Sequence, residues 1–168
     1  MIIDERRVEK KGLRVSDTFT PDDNLLLETE SFFKKELSYS VSLVRDNEKI
    51  KVSGTVKTDV SVKCIRCLDH FTLNINSKFD TILFPLNLVD FSYSALNDDE
   101  MEYIFYSNGK IDMPKLIIEQ VNLNIPFRTV CSTDCKGICP VCGTNQNYEK
   151  CKCDNSLSEI NIFNGIKR

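Results

Sequence analysis

Catalytic raw material is scarce in this chain. It has a single histidine, His70, which leaves little for acid–base relays or nucleophile triads. There is no glycine-rich phosphate loop and no serine or cysteine nucleophile motif, so an enzyme is disfavoured. No apolar run is long enough to span a bilayer. The start, MIIDERRVEKKG, is charged from its fourth residue and lacks the apolar stretch of a signal peptide. The expectation is a cytoplasmic protein with no membrane association and no small-molecule substrate. Positive charge is not in excess either: 22 Lys and Arg against 25 Asp and Glu leave a net charge of −3. That argues against a generic nucleic-acid binder, whose affinity comes mostly from Lys and Arg neutralising phosphates. Any such role has to rest on a local patch. With 41% hydrophobic and 28% charged residues in 168, the chain reads as a medium globular domain carrying a small appendage, not as a disordered polymer.

What the chain has in abundance is cysteine. Residues 131 to 153, CSTDCKGICPVCGTNQNYEKCKC, hold six of its eight cysteines, and Cys64 and Cys67 form a further C-x2-C pair. Thiolates packed this densely repel one another and oxidise unless something holds them, and a tetrahedral metal with sulfur ligands is the usual holder. Disulfides also suit an even count, but a reducing cytosol favours metal ligation.

The cysteines fall into four close pairs: Cys64/Cys67, Cys131/Cys135, Cys139/Cys142 and Cys151/Cys153. Four pairs make two sites of four thiolates. Cys139-Pro140-Val141-Cys142-Gly143 is the most specific signal, since its glycine permits the positive φ that a metal knuckle needs; Cys151-Lys152-Cys153 alone is weak. Three partitions are possible, and loop-closure entropy hardly separates them. The preferred one places Cys64, Cys67, Cys131 and Cys135 on one metal and Cys139, Cys142, Cys151 and Cys153 on the other. The first metal then staples a strand turn to the chain leaving a helix, and the second folds a tail that could not bury a core alone. Two structural zinc ions are expected, because closed four-thiolate sites leave no position for substrate or water. Iron suits the same ligands, which keeps a redox or metal-responsive protein as an alternative. His70, close behind Cys67, is read as a surface residue at a strand start, since the thiolate count is complete without it.

A period of two runs from Glu36 to about Phe84, the mark of half-buried strands. Leu37, Tyr39, Val41 and Leu43 alternate with polar neighbours up to a turn at Arg45-Asp46-Asn47-Glu48. Val52, Val56, Val60 and Val62 then lead straight into Cys64, with Gly54 marking a bulge or a close backbone approach. Phe71, Leu73, Ile75 and Phe79 form the next strand, closing near Phe84-Pro85, so Cys64 and Cys67 sit in a turn between strands. Residues 86 to 100 read as irregular, with an acidic loop at 97 to 100. MEYIFY, at 101 to 106, reads as a short strand before the turn Ser107-Asn108-Gly109. One helix follows at about 112–124, capped by Asp112, with Pro114 in its first turn, Leu116, Ile117, Gln120, Val121 and Asn124 on one face, and Pro126 as its stop. The first forty residues carry no clear pattern beyond a turn at Pro21-Asp22-Asp23-Asn24. The fold class is α+β: a mainly antiparallel β body over 1–130 with one principal helix, and a C-terminal cysteine-rich zinc knuckle over 131–168 docked on it.

The order of motifs resembles a known family. C-I-R-C-L at 64 to 68, N-G-K-I-D-M at 108 to 113, E-Q-V-N-L-N-I-P at 119 to 126, and C-K-G-I-C-P-V-C-G followed by N-x-N and C-K-C are together similar to the YceD family of large ribosomal RNA subunit accumulation proteins, found in bacteria. The resemblance covers about residues 35 to 154. It implies a non-enzymatic ribosome-biogenesis factor whose partners are ribosomal RNA or ribosomal proteins of the large subunit. Some similar members lack the cysteine-rich tail yet keep a C-x2-C and a His/Cys pair near the positions of Cys131 and Cys135, which the resemblance carries over in favour of the preferred partition. Gln146 stands where a leucine is common, and Asp154-Asn155-Ser156 replaces a usual Asp-Pro-Arg. For RNA contact the candidate residues are Lys63, Arg66, Arg128, Lys136, Lys150 and Lys152, with Tyr148 as a stacking surface; Asp134, Glu149 and Asp154 dilute that charge. The reading from another class is a protein-binding adaptor whose exposed sheet edge pairs with a partner.

Overall fold

The computed structural model describes residues 1–27, 30–88 and 103–153. Eight strands and one α-helix make up its regular structure: β1 (Ile2–Asp4), β2 (Leu13–Phe19), β3 (Phe32–Phe33), β4 (Leu37–Asp46), β5 (Lys49–Lys63), β6 (His70–Pro85), β7 (Tyr103–Tyr106), β8 (Lys110–Asp112) and α1 (Met113–Asn124). The period-two signal is realised in β4, β5 and β6. Leu37, Tyr39, Val41 and Leu43 on β4, and Ile50, Val52, Val56, Val60 and Val62 on β5, are buried, while their neighbours, Ser61 excepted, are less so. Alternation of this kind pins register, because a one-residue slip would turn the whole apolar set outward.

The main sheet has the order β2-β4-β5-β6-β7, with β3 added against β5. All its pairs are antiparallel except β6 with β7, where Ile82 to Pro85 run parallel to Tyr103 to Tyr106. A parallel neighbour demands a long connection rather than a hairpin; here it spans 86–102. The expected acidic loop at 97 to 100 and the first two residues of MEYIFY lie outside the described residues. Gly54 is the close approach and not a bulge. It pairs directly with Val41, and a Cβ there would stand 2.6 Å from the Ser40 carbonyl oxygen and from Val41 Cγ1.

At the end of β7 the chain turns through Asn108 and Gly109, both at positive φ, and Lys110 N donates to the Ser107 carbonyl at 3.1 Å. The turn leads through β8 into α1. Asp112 caps that helix, its Oδ1 accepting from Lys115 N at 3.2 Å, which satisfies one of the amides the first turn leaves unpaired. Met113, Leu116, Ile117, Ile118, Gln120 and Val121 are its buried face, packed into the same core as the valines of β5. The first forty residues supply what their weak pattern concealed: β1 pairs with β8, and β2 with its half-exposed residues forms a sheet edge against β4. No helix among the described residues is long and apolar enough to cross a membrane.

Candidate metal centres

β5 and β6 are joined by six residues, Cys64 to Asp69. Cys64 N donates to the Asp69 carbonyl at 2.8 Å, closing the loop at its base, and Leu68 N donates to the Cys64 carbonyl at 2.9 Å. Leu68 takes φ +65°, so the chain doubles back and puts the Cys64 and Cys67 sulfurs on the same side. The segment Cys139 to Thr144 repeats this construction. Cys139 N donates to the Thr144 carbonyl at 2.8 Å, Gly143 N donates to the Cys139 carbonyl at 2.9 Å, and Gly143 takes φ +74°. Two segments with only their cysteine spacing in common have adopted one backbone loop.

The first loop is completed by the chain leaving α1. Thr129, buried beside the hairpin, donates from Oγ1 to the Lys63 carbonyl at 2.6 Å and accepts from Ile65 N at its own carbonyl at 2.9 Å. This clamp delivers Cys131 and Cys135 to Cys64 and Cys67. Sγ–Sγ separations are 3.9 Å for Cys64 to Cys135 and 3.7 Å for Cys67 to Cys131. Four sulfurs at about 2.3 Å from a tetrahedral ion stand about 3.8 Å apart, whereas a disulfide needs about 2.05 Å. All eight cysteines are free, and the ligand atoms of Cys64, Cys67, Cys131 and Cys135 lie within 4.8 Å of one another, as do those of Cys139, Cys142, Cys151 and Cys153. The donor set and its spacing fit a metal ion in each cluster.

The electrostatics agree with the geometry. Burial pushes the Cys64 thiol up, but the amides of Cys67, Cys131 and Arg66 outweigh it and bring it down to about 6; Arg66 N and Cys131 N each stand 3.4 Å from its sulfur. Burial, reinforced by the sulfurs around it, pushes Cys67 up to about 12. In the second cluster the Thr144 hydroxyl, 3.2 Å from Cys142 Sγ, and the Thr144 amide bring Cys142 to about 6, while the adjoining Cys142 sulfur and then burial raise Cys153 to about 12. Four thiols so close cannot all ionise against one another; a divalent cation removes that conflict.

Two asparagines and one aspartate join the clusters. Asn147 Nδ2 donates to Cys135 Sγ at 3.4 Å and to Asn145 Oδ1 at 2.9 Å, while its Oδ1 accepts from Lys136 N at 2.8 Å. Asn145 Nδ2 donates to Asp69 Oδ2 at 2.7 Å. These roles, and that of Thr129, were not read from the sequence; the only hint was the N-x-N spacing between cysteine pairs. Gln146, where a leucine is common, puts Nε2 4.0 Å from Cys151 Sγ. His70 lies outside both clusters, with Nε2 3.1 Å from the Glu30 carbonyl.

The six basic candidates divide. Lys63 pairs with Glu30 at 2.5 Å, and Arg66 Nη1 donates to the Cys135 carbonyl at 3.1 Å and the Thr133 carbonyl at 3.4 Å. Both help hold the first centre to its surroundings. Arg128, Lys136, Lys150 and Lys152 are exposed, and among the described residues none of these four side chains enters an ion pair. Tyr148 is 77% exposed.

Residues 52–167 match the family described as Large ribosomal RNA subunit accumulation protein YceD. The chain is 26% identical over 175 residues to Large ribosomal RNA subunit accumulation protein YCED homolog 1, chloroplastic, of Arabidopsis thaliana, which takes in 90% of this chain and 51% of that protein. It is 24% identical to the Zea mays protein of the same description, over 68% of this chain and 47% of the relative, and 30% identical to an uncharacterized protein of Mycobacterium leprae, over 59% and 44%. The chain thus spans about half the length of the curated relatives it matches. These relatives include plant chloroplast proteins, a wider range than the bacterial one expected from the sequence. No solved structure matches. The family match reaches from Val52, near the start of β5, through both cysteine clusters, and on this the chain belongs to the YceD family of large ribosomal RNA subunit accumulation proteins.

Proposed function

We propose that the protein is a non-enzymatic ribosome-biogenesis factor which supports accumulation of large-subunit ribosomal RNA, and that both cysteine clusters are structural zinc sites. Family membership carries this reading. Each cluster is a closed set of four sulfurs with no position left for a substrate or water, which suits structural zinc. The metals set the shape of the tail, and the tail together with the chain leading into it presents the contact surface.

That surface is Arg128, Lys136, Lys150 and Lys152 with Tyr148. Four thiolates around a divalent ion keep two negative charges, so part of this positive charge offsets the centres themselves. The contact is therefore local, a few charged groups and an aromatic face on an RNA segment, and not a broad basic stripe. Depletion of the protein is expected to lower mature large-subunit RNA or raise its precursor. Replacing the four basic residues by glutamate is expected to reduce crosslinking to that RNA by at least about tenfold at physiological salt. Unchanged RNA levels, with no ribosomal component crosslinked, would remove the proposal. Crosslinks to a ribosomal protein alone would replace RNA as the partner.

A further inference from the structure

The second loop is a small hairpin whose base is the bridge between Ile138 and Asn145. Both ends of that base are tied to the first loop. Ile138 N donates to the Arg66 carbonyl at 3.0 Å, and Asn145 Nδ2 donates to Asp69 Oδ2 at 2.7 Å. Arg66 and Asp69 belong to the turn that positions Cys64 and Cys67. In the other direction, Asn147 donates to Cys135 Sγ at 3.4 Å, and its backbone N donates to Asn145 Oδ1 at 3.0 Å. Gly137, next to the base, runs so close beneath Arg66 that a Cβ there would stand 3.0 Å from its carbonyl oxygen. The two loops are therefore held on one shared set of hydrogen bonds, and ordering either one orders the frame of the other.

We propose that Asn145 and Asn147 are positioning residues that couple the two cysteine centres, so that a metal bound at either raises the affinity of the other by about tenfold. The proposal rests on the metal reading above. Neither asparagine touches a metal; each acts through a partner, Asn145 through Asp69 and Asn147 through the Cys135 sulfur. Coupling between binding sites is reciprocal by linkage, which makes it measurable from one side. The stepwise order follows as well. The first centre is clamped by Thr129 and backed by the sheet, so it loads first, and its loading sets the base on which the second assembles.

The experiment uses the full chain and Co2+ as the probe, following thiolate-to-cobalt absorption under competition with a chelator. Removing the second centre by Cys142→Ser with Cys153→Ser is expected to weaken cobalt at the first about tenfold. In an Asn145→Ala background the same removal is expected to change it less than twofold. Asn145→Asp, which sets two carboxylates against each other, is expected to abolish the coupling. Asn145→Asp with Asp69→Asn restores the pair with its ends exchanged and is expected to recover the coupling even if Asn145→Ala misfolds. Independent binding in the unsubstituted chain, or coupling that survives Asn145→Asp, overturns the proposal while leaving both metal sites intact. Failure of cobalt to bind either cluster overturns the metal reading, and this coupling with it.

Discussion

The two cysteine centres share a backbone loop but not a foundation. The first stands on the tip of the β5–β6 hairpin, its Cys64, Cys67 and Cys135 all buried and packed with Phe71 and Val130. The second buries Cys139, leaves Cys142 exposed and Cys151 and Cys153 half-exposed, and belongs to no apolar cluster among the described residues. The loop geometry is thus set by cysteine spacing and one positive-φ residue, while stability depends on what lies beneath. A metal at the first centre would add to a structure already held by sheet and helix. A metal at the second would be the main organiser of its own surroundings.

The largest effect expected from this difference comes from taking the thiolates away. Cys64→Ser with Cys67→Ser removes the base on which both loops stand. The amide of Ile65, bonded to the Thr129 carbonyl, and that of Ile138, bonded to the Arg66 carbonyl, should both lose hydrogen-exchange protection, at a cost of about 3 kcal/mol or more. Cys142→Ser with Cys153→Ser should free the amides of Cys139 and Gly143, bonded within the second loop, and leave Ile65 protected. The core valines of β5 should stay protected in both. If Ile65 and Cys139 opened together when only Cys142 and Cys153 were replaced, the two centres would be one cooperative unit and the contrast would fail.

A smaller effect isolates the seam between the centres. Gly137 takes φ +77° and lies against the Arg66 carbonyl, 3.0 Å from where a Cβ would stand. Gly137→Ala meets backbone strain and a contact that cannot give without moving the first loop, so about 2–3 kcal/mol should be lost. The measurement is thermal unfolding of the metal-loaded chain, with a fall of about 4–12 °C for a chain of this size. A fall below about 2 °C would show that the seam yields easily, and the tie at Ile138 would be weaker than its geometry implies.

Much of this arrangement was legible in the sequence, and the part that was not shares one physical cause. Alternation revealed β4, β5 and β6 because each buries one face, and the helix announced itself through Asp112, Pro114 and its apolar stripe. Counting cysteine pairs gave four and four, and the loop after β5 was legible because Val62 and Phe71 bracket it. What stayed hidden were contacts between residues far apart in sequence that leave no periodic trace. β1 is a three-residue strand paired to β8 more than a hundred positions away, and β2 is a sheet edge whose apolar residues, Leu13, Val15 and Phe19, are only half-buried. Lys63 carries the same charge as Lys136, yet Glu30, 33 residues earlier, engages one and not the other. The links from Asn145 to Asp69 and from Thr129 to Lys63 are single polar bonds, specific once the chain has folded and without a sequence pattern of their own.

The smallest expected effect tests the shared loop itself. Leu68 and Gly143 hold the same place in the two loops, at φ +65° and +74°, yet only one of them is a glycine. A non-glycine residue in the left-handed region costs about 1–2 kcal/mol, of which the entropy of an unfolded glycine gives back about 0.5–1. Leu68 is 48% exposed, so its removal forfeits little burial. Leu68→Gly should therefore stabilise the first centre by about 0.5–1 kcal/mol, a rise of about 1–4 °C. Gly143→Ala, where a Cβ would meet nothing within 4 Å, should cost the second about 1 kcal/mol through backbone strain alone. Opposite signs of similar size would establish that one loop geometry serves both centres. If instead Leu68→Gly lowered stability, the exposed leucine would be contributing more to the first centre by packing than its backbone costs, and the two centres would differ in their loops as well as in what supports them.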